Sequence, residues 1–146
     1  MPHIRKSIRD AIVTVVTGLT TTGVNVFASR IRPVEQSKLP CLLVYATDES
    51  IDLADGTLAA PGRDLIIRIS GIVEANTSLD DTLDTIAEEV ETALGADVTQ
   101  GGFSISTDLS TTTIELLDES EKQVGVIHLD YLINYRTPYG DPTTVS

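Results

Sequence analysis

Residues 124–136, which read VGVIHLDYLINYR, decide the fold. The odd-numbered positions from Ile127 to Tyr135 are all apolar or aromatic, whereas most of the even-numbered positions are polar. This alternation predicts a β-strand with one buried face, because successive side chains of a strand point to opposite sides of the sheet. A strand of this length spans about 43 Å, which is more than one small core covers. We therefore expect either a bend at Gly125 or cover from another subunit.

The length and composition predict one folded domain. The chain has 146 residues, of which 41% are hydrophobic, enough to build a globular core. We assign residues 1–137 to a single α+β domain and the polar, proline-containing segment 138–146 to a flexible C-terminal tail. The apolar runs are too short for a membrane span or a secretory signal, so we expect a soluble protein made in the cytoplasm, with no membrane partner. The lone Cys41 lies in the apolar stretch PCLLVYA, which predicts a buried thiol without a disulfide.

Two segments have the periodicity of amphipathic helices. In residues 3–17, apolar side chains recur at helical spacing and Gly18 follows as a stop signal. In residues 79–94 the same pattern begins after Ser78, a favourable N-cap residue, and ends before Gly95. The outer face of this second helix has carboxylates with no lysine or arginine at helical spacing: Asp84, Glu88, Glu89 and Glu91.

The remaining apolar runs predict strands. They cover residues 24–28, 41–46 with an extension to 49–53, 64–75, 103–107, 111–117 and the final long strand. The charged turn DESEK between the last two strands predicts an antiparallel hairpin. Two helices with hairpin-like connections favour an α+β fold with a mainly antiparallel or mixed β-sheet and both helices packed on one face. The other sheet face has apolar residues for which the sequence offers no evident cover.

The charge is unevenly distributed along the chain. The net charge is −12, which argues against a nucleic-acid-binding surface, since affinity there comes mainly from cations that neutralise phosphates. Residues 1–38 nevertheless have a net charge of +4, and residues 39–146 have a net charge of −16. This split is either an ordinary solvated surface or the mark of a head-to-tail assembly, in which the basic part of one copy meets the acidic part of the next. Under the second interpretation the subunit-interface candidates are Arg5, Arg9, Arg30, Arg32, Glu88, Glu91 and Leu132.

Residues 53–63, LADGTLAAPGR, form the most loop-like stretch of the chain. Two turn signals, Asp55-Gly56 and Pro61-Gly62, lie among small residues that bury little area. Such a segment is either a plain exposed loop or a partner-binding element that orders on contact. The partner-contacting candidates are Asp55, Gly56, Leu58, Pro61 and Arg63.

Signatures of chemistry are weak in this sequence. It has no phosphate-binding glycine motif, and one cysteine with two distant histidines does not supply a zinc site. The acidic positions Asp48, Asp52 and Asp55 lack the spacing of a calcium loop. His128 and Asp130 share one strand face, as a base and its orienting carboxylate would, but no nucleophile can be placed beside them from the sequence. We therefore expect no catalytic, cofactor or metal residues and a protein that is not an enzyme.

The order of elements resembles a tail terminator (tail completion) protein of long-tailed bacteriophages. The resemblance covers nearly the whole chain and lies in the stretches IRKSIRDAIVTVV, VNVFASRIRP, LPCLLVYATDES, LDDTLDTIAEEVETAL and KQVGVIHLDYLINYRTPYGDP. It implies a subunit of a six-membered homo-oligomeric ring that caps the tail tube, touches the head-side connector proteins and lets DNA pass without specific binding. It also implies a place in the tail-neck region of the virion, reached from the host cytoplasm during assembly. The alternatives are another head–tail joining or minor tail protein or, from a different class, a small acidic enzyme or ligand-binding domain.

Overall fold

The computed structural model describes residues 2–28, 39–52, 61–75, 78–119 and 122–145. The described residues form two helices and five strands, and this confirms the predicted α+β class with a mixed sheet and two helices. In chain order the elements are α1 (Ile4–Val16), β1 (Val26–Phe27), β2 (Cys41–Asp52), β3 (Gly62–Ala75), α2 (Leu79–Gly95), β4 (Ser106–Glu119) and β5 (Lys122–Arg136).

The five strands form one sheet in the order β1-β2-β3-β5-β4. Only β1 and β2 are parallel, and every other pairing is antiparallel. The stretch that decides the fold is β5, which pairs with β3 on one side and with β4 on the other. The ladders run in register through Gly125, and the antiparallel pairing of β4 with β5 extends to Glu119 and Lys122, which confirms the predicted hairpin.

Both helices pack on the same side of the sheet. α1 buries one residue per turn, Ile4, Ile8, Ile12 and Val16, as its apolar stripe predicts. These side chains share one core with the apolar stripe of α2 and with the odd-numbered residues of β3 and β5. Ile133 and Tyr135 are completely buried there. The alternation read from residues 124–136 therefore identifies the core face of β5 correctly.

The opposite side of the sheet has a second, smaller apolar cluster at one end. Its members Cys41, Leu43, Ile72, Val124 and Val126 are all buried. The prediction that apolar residues on this side lack internal cover is therefore wrong at this end of the sheet. Phe27, Leu39 and Tyr45 pack against the cluster from within the chain.

Two strands are longer than the sequence predicts, because β-bulges carry them past residues that look like breaks. β4 is one strand with a shift of register between Leu109 and Thr111, where two strands separated at residues 108–110 were expected. β2 likewise continues past a shift between Ala46 and Asp48 to Asp52. A bulge leaves one extra residue unpaired and lets the ladder resume, so the polar residues there do not end the strand.

The helix starts are set by local hydrogen bonds, and Ser78 is at the N-cap of α2 as predicted. The Nδ1 atom of His3 accepts a hydrogen bond from the backbone N–H of Arg5 at 3.0 Å and caps α1. Ser78 stands at the N-cap of α2 in a left-handed conformation, and its side chain makes no capping hydrogen bond. Its carbonyl accepts from the N–H of Thr82, so Ser78 begins the helix through its backbone.

The segment after β5 returns to the start of α1. The backbone N–H of Ile4 donates to the carbonyl of Pro142 at 2.8 Å, and Asp141 accepts hydrogen bonds from the N–H and hydroxyl of Thr143. The assignments of residues 1–137 to one domain and of 138–146 to a flexible tail stay predictions.

Candidate subunit interface

Arg5, a predicted subunit-interface residue, and Arg63, a predicted partner-contacting loop residue, converge on one carboxylate inside the subunit. Nη1 of Arg5 lies 2.8 Å from Oε2 of Glu49, and Nη1 of Arg63 lies 3.1 Å from the same oxygen. The hydroxyl of Tyr135 donates to the other oxygen of Glu49, and burial together with this carboxylate raises the pKa of Tyr135. The side chain of Glu49 is only 10% exposed. The four side chains form an internal cluster, the Glu49 cluster, that ties α1 to β2, β3 and β5.

The loop candidates divide between described and undescribed residues. Asp55, Gly56 and Leu58 lie outside the described residues. Pro61 is buried immediately before β3, and Arg63 belongs to β3, where its Nε also donates to Thr137 at 3.1 Å. The structure therefore places Arg63 in the sheet, where its guanidinium forms an ion pair with Glu49.

Arg9 differs from Arg5 although it lies one turn further along α1. Its side chain is partly buried, and its Nε is buried without a hydrogen-bond partner among the described residues. The neighbouring Lys6 is exposed and pairs with Asp10 at 2.6 Å. Arg30 and Arg32 lie outside the described residues. Of the predicted basic candidates whose position is known, Arg9 is the one left with an unsatisfied donor.

The acidic candidates lie on the outer side of α2. Glu88 and Glu91 are exposed, and in the described part of the chain neither pairs with a lysine or an arginine. Glu89 differs, because it accepts hydrogen bonds from the N–H and hydroxyl of Thr21 at 2.9 and 2.5 Å. Glu91 follows Glu89 by two residues, about 200° further round the helix, so it lies on the flank of α2 opposite Thr21 and on the side of β5 and β4. Burial raises the pKa of Tyr131, and the charge of Glu91 adds to this effect.

β4 is a terminal strand of the sheet and is poorly covered. Every residue from 108 to 116 is exposed, including the apolar residues Leu109 (36%), Ile114 (50%) and Leu116 (61%). Their strand partners on β5 are Tyr131, Ile127 and Gly125, all of which face the helices. Hence the three apolar side chains form a strip on the helix side of β4, beyond the edge of α2. The sequence pointed to strands here, but nothing in it showed that β4 ends the sheet.

Leu132, the remaining interface candidate, lies on the other side of the sheet. It pairs with Ile66 of β3 and Asp108 of β4, and it is 36% exposed. It is therefore a partly exposed apolar side chain beside Ile66, on the side of the sheet away from the strip on β4.

His128 and Asp130, the two residues weighed as a base and its orienting carboxylate, belong to a row of polar side chains on the same side of the sheet as Leu132. The structure places Ser70 beside His128, with Oγ 2.7 Å from Nδ1, and Glu115 lies 3.6 Å from Nε2 of this histidine. Asp130 does not orient His128, because it pairs with Arg68 at 2.7 Å. That hydrogen bond raises the pKa of Arg68. Ser70 is only 1% exposed, and a nucleophile must reach its substrate, so this row acts as a set of cross-strand hydrogen bonds.

Across the described residues no group of three or more histidine, cysteine, aspartate or glutamate side chains is placed to hold a metal ion. Neither described helix has the length and apolar character needed to cross a membrane.

Comparisons with known proteins add the following. The sequence matches no protein-family model and no curated protein. Among solved structures, the fold is similar to a chain of a "Virion of native gene transfer agent (GTA) particle". The TM-score is 0.47 with 18% sequence identity, and the match covers 90% of this chain and 92% of that chain.

Proposed function

We propose that this protein is a structural component of a phage-type virion that works as a tail terminator. Copies assemble head to tail into a ring that caps the tail tube and presents a surface to the head-side connector. The observation that carries the proposal is β4, a fourteen-residue terminal strand with an exposed apolar strip. Resemblance of the sequence to tail terminators supplies the kind of assembly.

An open edge of this kind is a surface for association. A terminal strand presents unpaired N–H and C=O groups, and monomeric proteins shorten, cover or charge such edges. The sheet does so at its other end, where β1 has only two residues. β4 is long, and its residues 108–116 are exposed, including three apolar side chains. A single subunit in water therefore leaves this edge uncovered.

The two ends of the sheet differ, and this favours a ring over a two-fold dimer. One end presents β4 beside the acidic α2, and the other presents β1 and β2 beside the basic start of α1. Contacts between unlike surfaces repeat from copy to copy and close into a ring when the rotation permits. Six copies are the number that the resemblance to tail terminators implies.

The acidic character suits a ring through which a genome passes. With a net charge of −12, each copy repels phosphate, so DNA crosses the lumen without specific binding. A basic lumen would hold the DNA by contrast. As a tail terminator, the protein would lie in the tail-neck region of the virion and would assemble in the host cytoplasm.

Cryo-electron microscopy of virions that carry this chain tests the proposal. We expect a ring of copies at the head-proximal end of the tail tube, and we expect deletion of the gene to give tails of uncontrolled length without joined heads. Density for the chain elsewhere in the particle, or tails of normal length after deletion, would refute the terminator role. Density in the connector would favour a head–tail joining protein instead.

A further inference from the structure

We propose that the strip on β4 and the acidic flank of α2 form one docking surface for a second copy of this chain, which inserts the basic side of its α1. The strip consists of Leu109, Ile114 and Leu116, and the flank carries Asp84, Glu88 and Glu91. This inference rests on the proposed function, because it specifies which surfaces join neighbouring copies in the ring.

The geometry brings the two parts of the surface together. α2 packs over β3 and β5 and touches β4 only at its margin, so the strip lies beside the helix and not under it. Glu91 acts electrostatically on Tyr131, the β5 residue that pairs with Leu109. The floor of the surface is thus apolar and exposed, and one wall is a helix flank with carboxylates.

The boundaries of the surface are set by the chain itself. At the start of β4, Thr107 is buried beneath the connection from α2 and donates to the carbonyl of Val98 at 2.7 Å. The cover ends after Thr107, and every residue from 108 to 116 is exposed. At roughly 3.3 Å per strand residue the strip from Leu109 to Leu116 is about 23 Å long, so an occupant meets a surface about four turns of helix long.

Charge complementarity identifies the occupant. The carboxylates of Glu88 and Glu91 have no cation in the described part of the chain, and three like charges on one helix flank repel one another. The basic side of α1 supplies the opposite charge: Lys6 is exposed, with Asp10 as its partner in the subunit, and the neighbouring Arg9 is half-buried. The carboxylates of a neighbouring copy are therefore attracted to this side of α1.

Topology separates the basic side of α1 from the strip on β4 in the same subunit. α1 contacts α2, β1 and β2, at the end of the sheet opposite β4. The strip of one subunit is therefore open to the α1 of another copy and distant from its own. Copies that join through these two surfaces line up head to tail, in the arrangement that closes into a ring.

A pair of charge-reversed variants tests this docking. The acidic-side variant is Glu88→Lys with Glu91→Lys, and the basic-side variant is Lys6→Glu with Arg9→Glu. Each variant alone places like charges across every contact, so we expect its assembly midpoint to rise at least about tenfold in concentration. When the two variants are mixed in equal amounts, each contact again joins opposite charges. We therefore expect mixed rings with alternating copies, measured by sedimentation velocity and native mass spectrometry.

The control variant Asp48→Lys with Asp52→Lys makes the same change in net charge as the acidic-side variant, but on the opposite side of the sheet. At about 0.15 M salt, where repulsion between whole subunits is screened, we expect it to assemble as the wild type does, since both residues are exposed and lie outside the proposed surface. Assembly of both reversed variants at the wild-type concentration overturns the inference. Failure of the mixture to restore assembly, with both variants folded by circular dichroism, overturns it as well.

The apolar strip has a separate test that does not involve charge reversal. We expect Leu116→Ser and Ile114→Ser together to weaken assembly about tenfold, because an interface core loses apolar area. Val98→Ser is the control, since this side chain is similarly exposed at 45% and lies outside the strip. Unchanged assembly of the double variant would contradict the assigned surface.

Failure of this inference can be told apart from failure of the proposed function. If virion rings form but the reversed variants still assemble into them, the ring exists and uses other surfaces. If the wild type is monomeric at every concentration, self-docking of the isolated chain is refuted, while the position of the chain in the virion still decides its role as a terminator.

Discussion

At the scale of single residues, Glu49 holds two of the predicted contact residues inside the subunit, Arg5 of the predicted interface and Arg63 of the predicted loop. The sequence predicts both as contacts for other chains. The antiparallel ladder between β2 and β3 and the position of α1 bring both guanidinium groups to one carboxylate. Sequence reasoning had no signal for this, since Glu49 follows a bulge that reverses the side of the sheet it would otherwise face.

The Glu49 cluster gives the first prediction. Glu49→Gln keeps the size of the side chain but removes the charge that two arginines share. Breaking a buried pair by removing one partner costs about 3–5 kcal/mol. We expect about 3 kcal/mol of lost unfolding free energy, at the lower end because Arg5 is partly exposed. Urea unfolding measures the loss. The neighbouring, exposed Asp48→Asn is the control and should change stability little; equal effects of the two would contradict an internal role for Glu49.

His3 gives a prediction about pH. Burial, followed by the charge of Arg5, lowers the pKa of His3, and its Nδ1 must be unprotonated to accept the capping hydrogen bond from the Arg5 N–H. A histidine with a lowered pKa in the folded state stabilises the protein above its ordinary pKa of about 6.5 and loses that contribution as the pH falls below it. Loss of the cap costs about 1 kcal/mol.

The variant His3→Asn separates this effect from every other titrating group, because asparagine caps helices well and does not titrate. We expect urea midpoints of the wild type and the variant to agree at pH 8. At pH 5 the wild type should be less stable than the variant by up to about 1 kcal/mol. A difference between the two proteins that does not change with pH would show that His3 does not act as a titrating cap.

At the scale of elements, alternation and helical periodicity predict most of the architecture. They identify both helices, the buried side of β5 and the final hairpin, because each of these follows from local patterns of apolar residues. These local patterns do not predict the features that depend on which strands pair with each other. The break at residues 108–110 is absorbed by a bulge in β4, and nothing local shows that β5 lies between β3 and β4. The strip on β4 could not be predicted for this reason, since exposure of a strand depends on its place in the sheet.

The docking of α2 on the sheet depends on Gly71 and Gly125, because side chains of α2 lie where a Cβ atom would stand at either position. The prediction at the scale of elements concerns Gly71. A Cβ atom at Gly71 would lie 2.9 Å from Cγ2 of Ile86 and 3.2 Å from Cγ2 of Ile127. Both side chains belong to the packed core, so Gly71→Ala should displace α2 and cost about 1–2 kcal/mol.

Gly95→Ala is the matched control for the same chemical change. A Cβ at Gly95, the last residue of α2, meets nothing within 4 Å, and alanine favours the helix. We expect an unchanged or slightly raised melting temperature for this variant and a lower one for Gly71→Ala. If Gly71→Ala were as stable as the wild type, the close approach of Ile86 to the sheet would not be required for the fold.

At the scale of the whole molecule, the charges of this chain act in two opposing ways on assembly. Copies with a net charge of −12 repel one another at long range, whereas the proposed contact between α1 and α2 of neighbouring copies attracts at short range. The Debye length separates these effects, because it is about 30 Å at 0.01 M salt, 8 Å at 0.15 M and 3 Å at 1 M. Salt therefore screens the repulsion between whole subunits before it screens ion pairs in contact.

The association of subunits should consequently pass through a maximum as salt rises. We expect weak assembly near 0.01 M, strongest assembly near 0.15 M and partial loss near 1 M, with the remainder held by the apolar strip on β4. Sedimentation velocity across this range measures the distribution. The variant Asp48→Asn with Asp52→Asn removes two negative charges outside the proposed surface, so it should assemble better than the wild type at low salt and equally at 0.15 M. Assembly that falls steadily from the lowest salt would mean that attraction already dominates at long range, which contradicts the balance of charges described above.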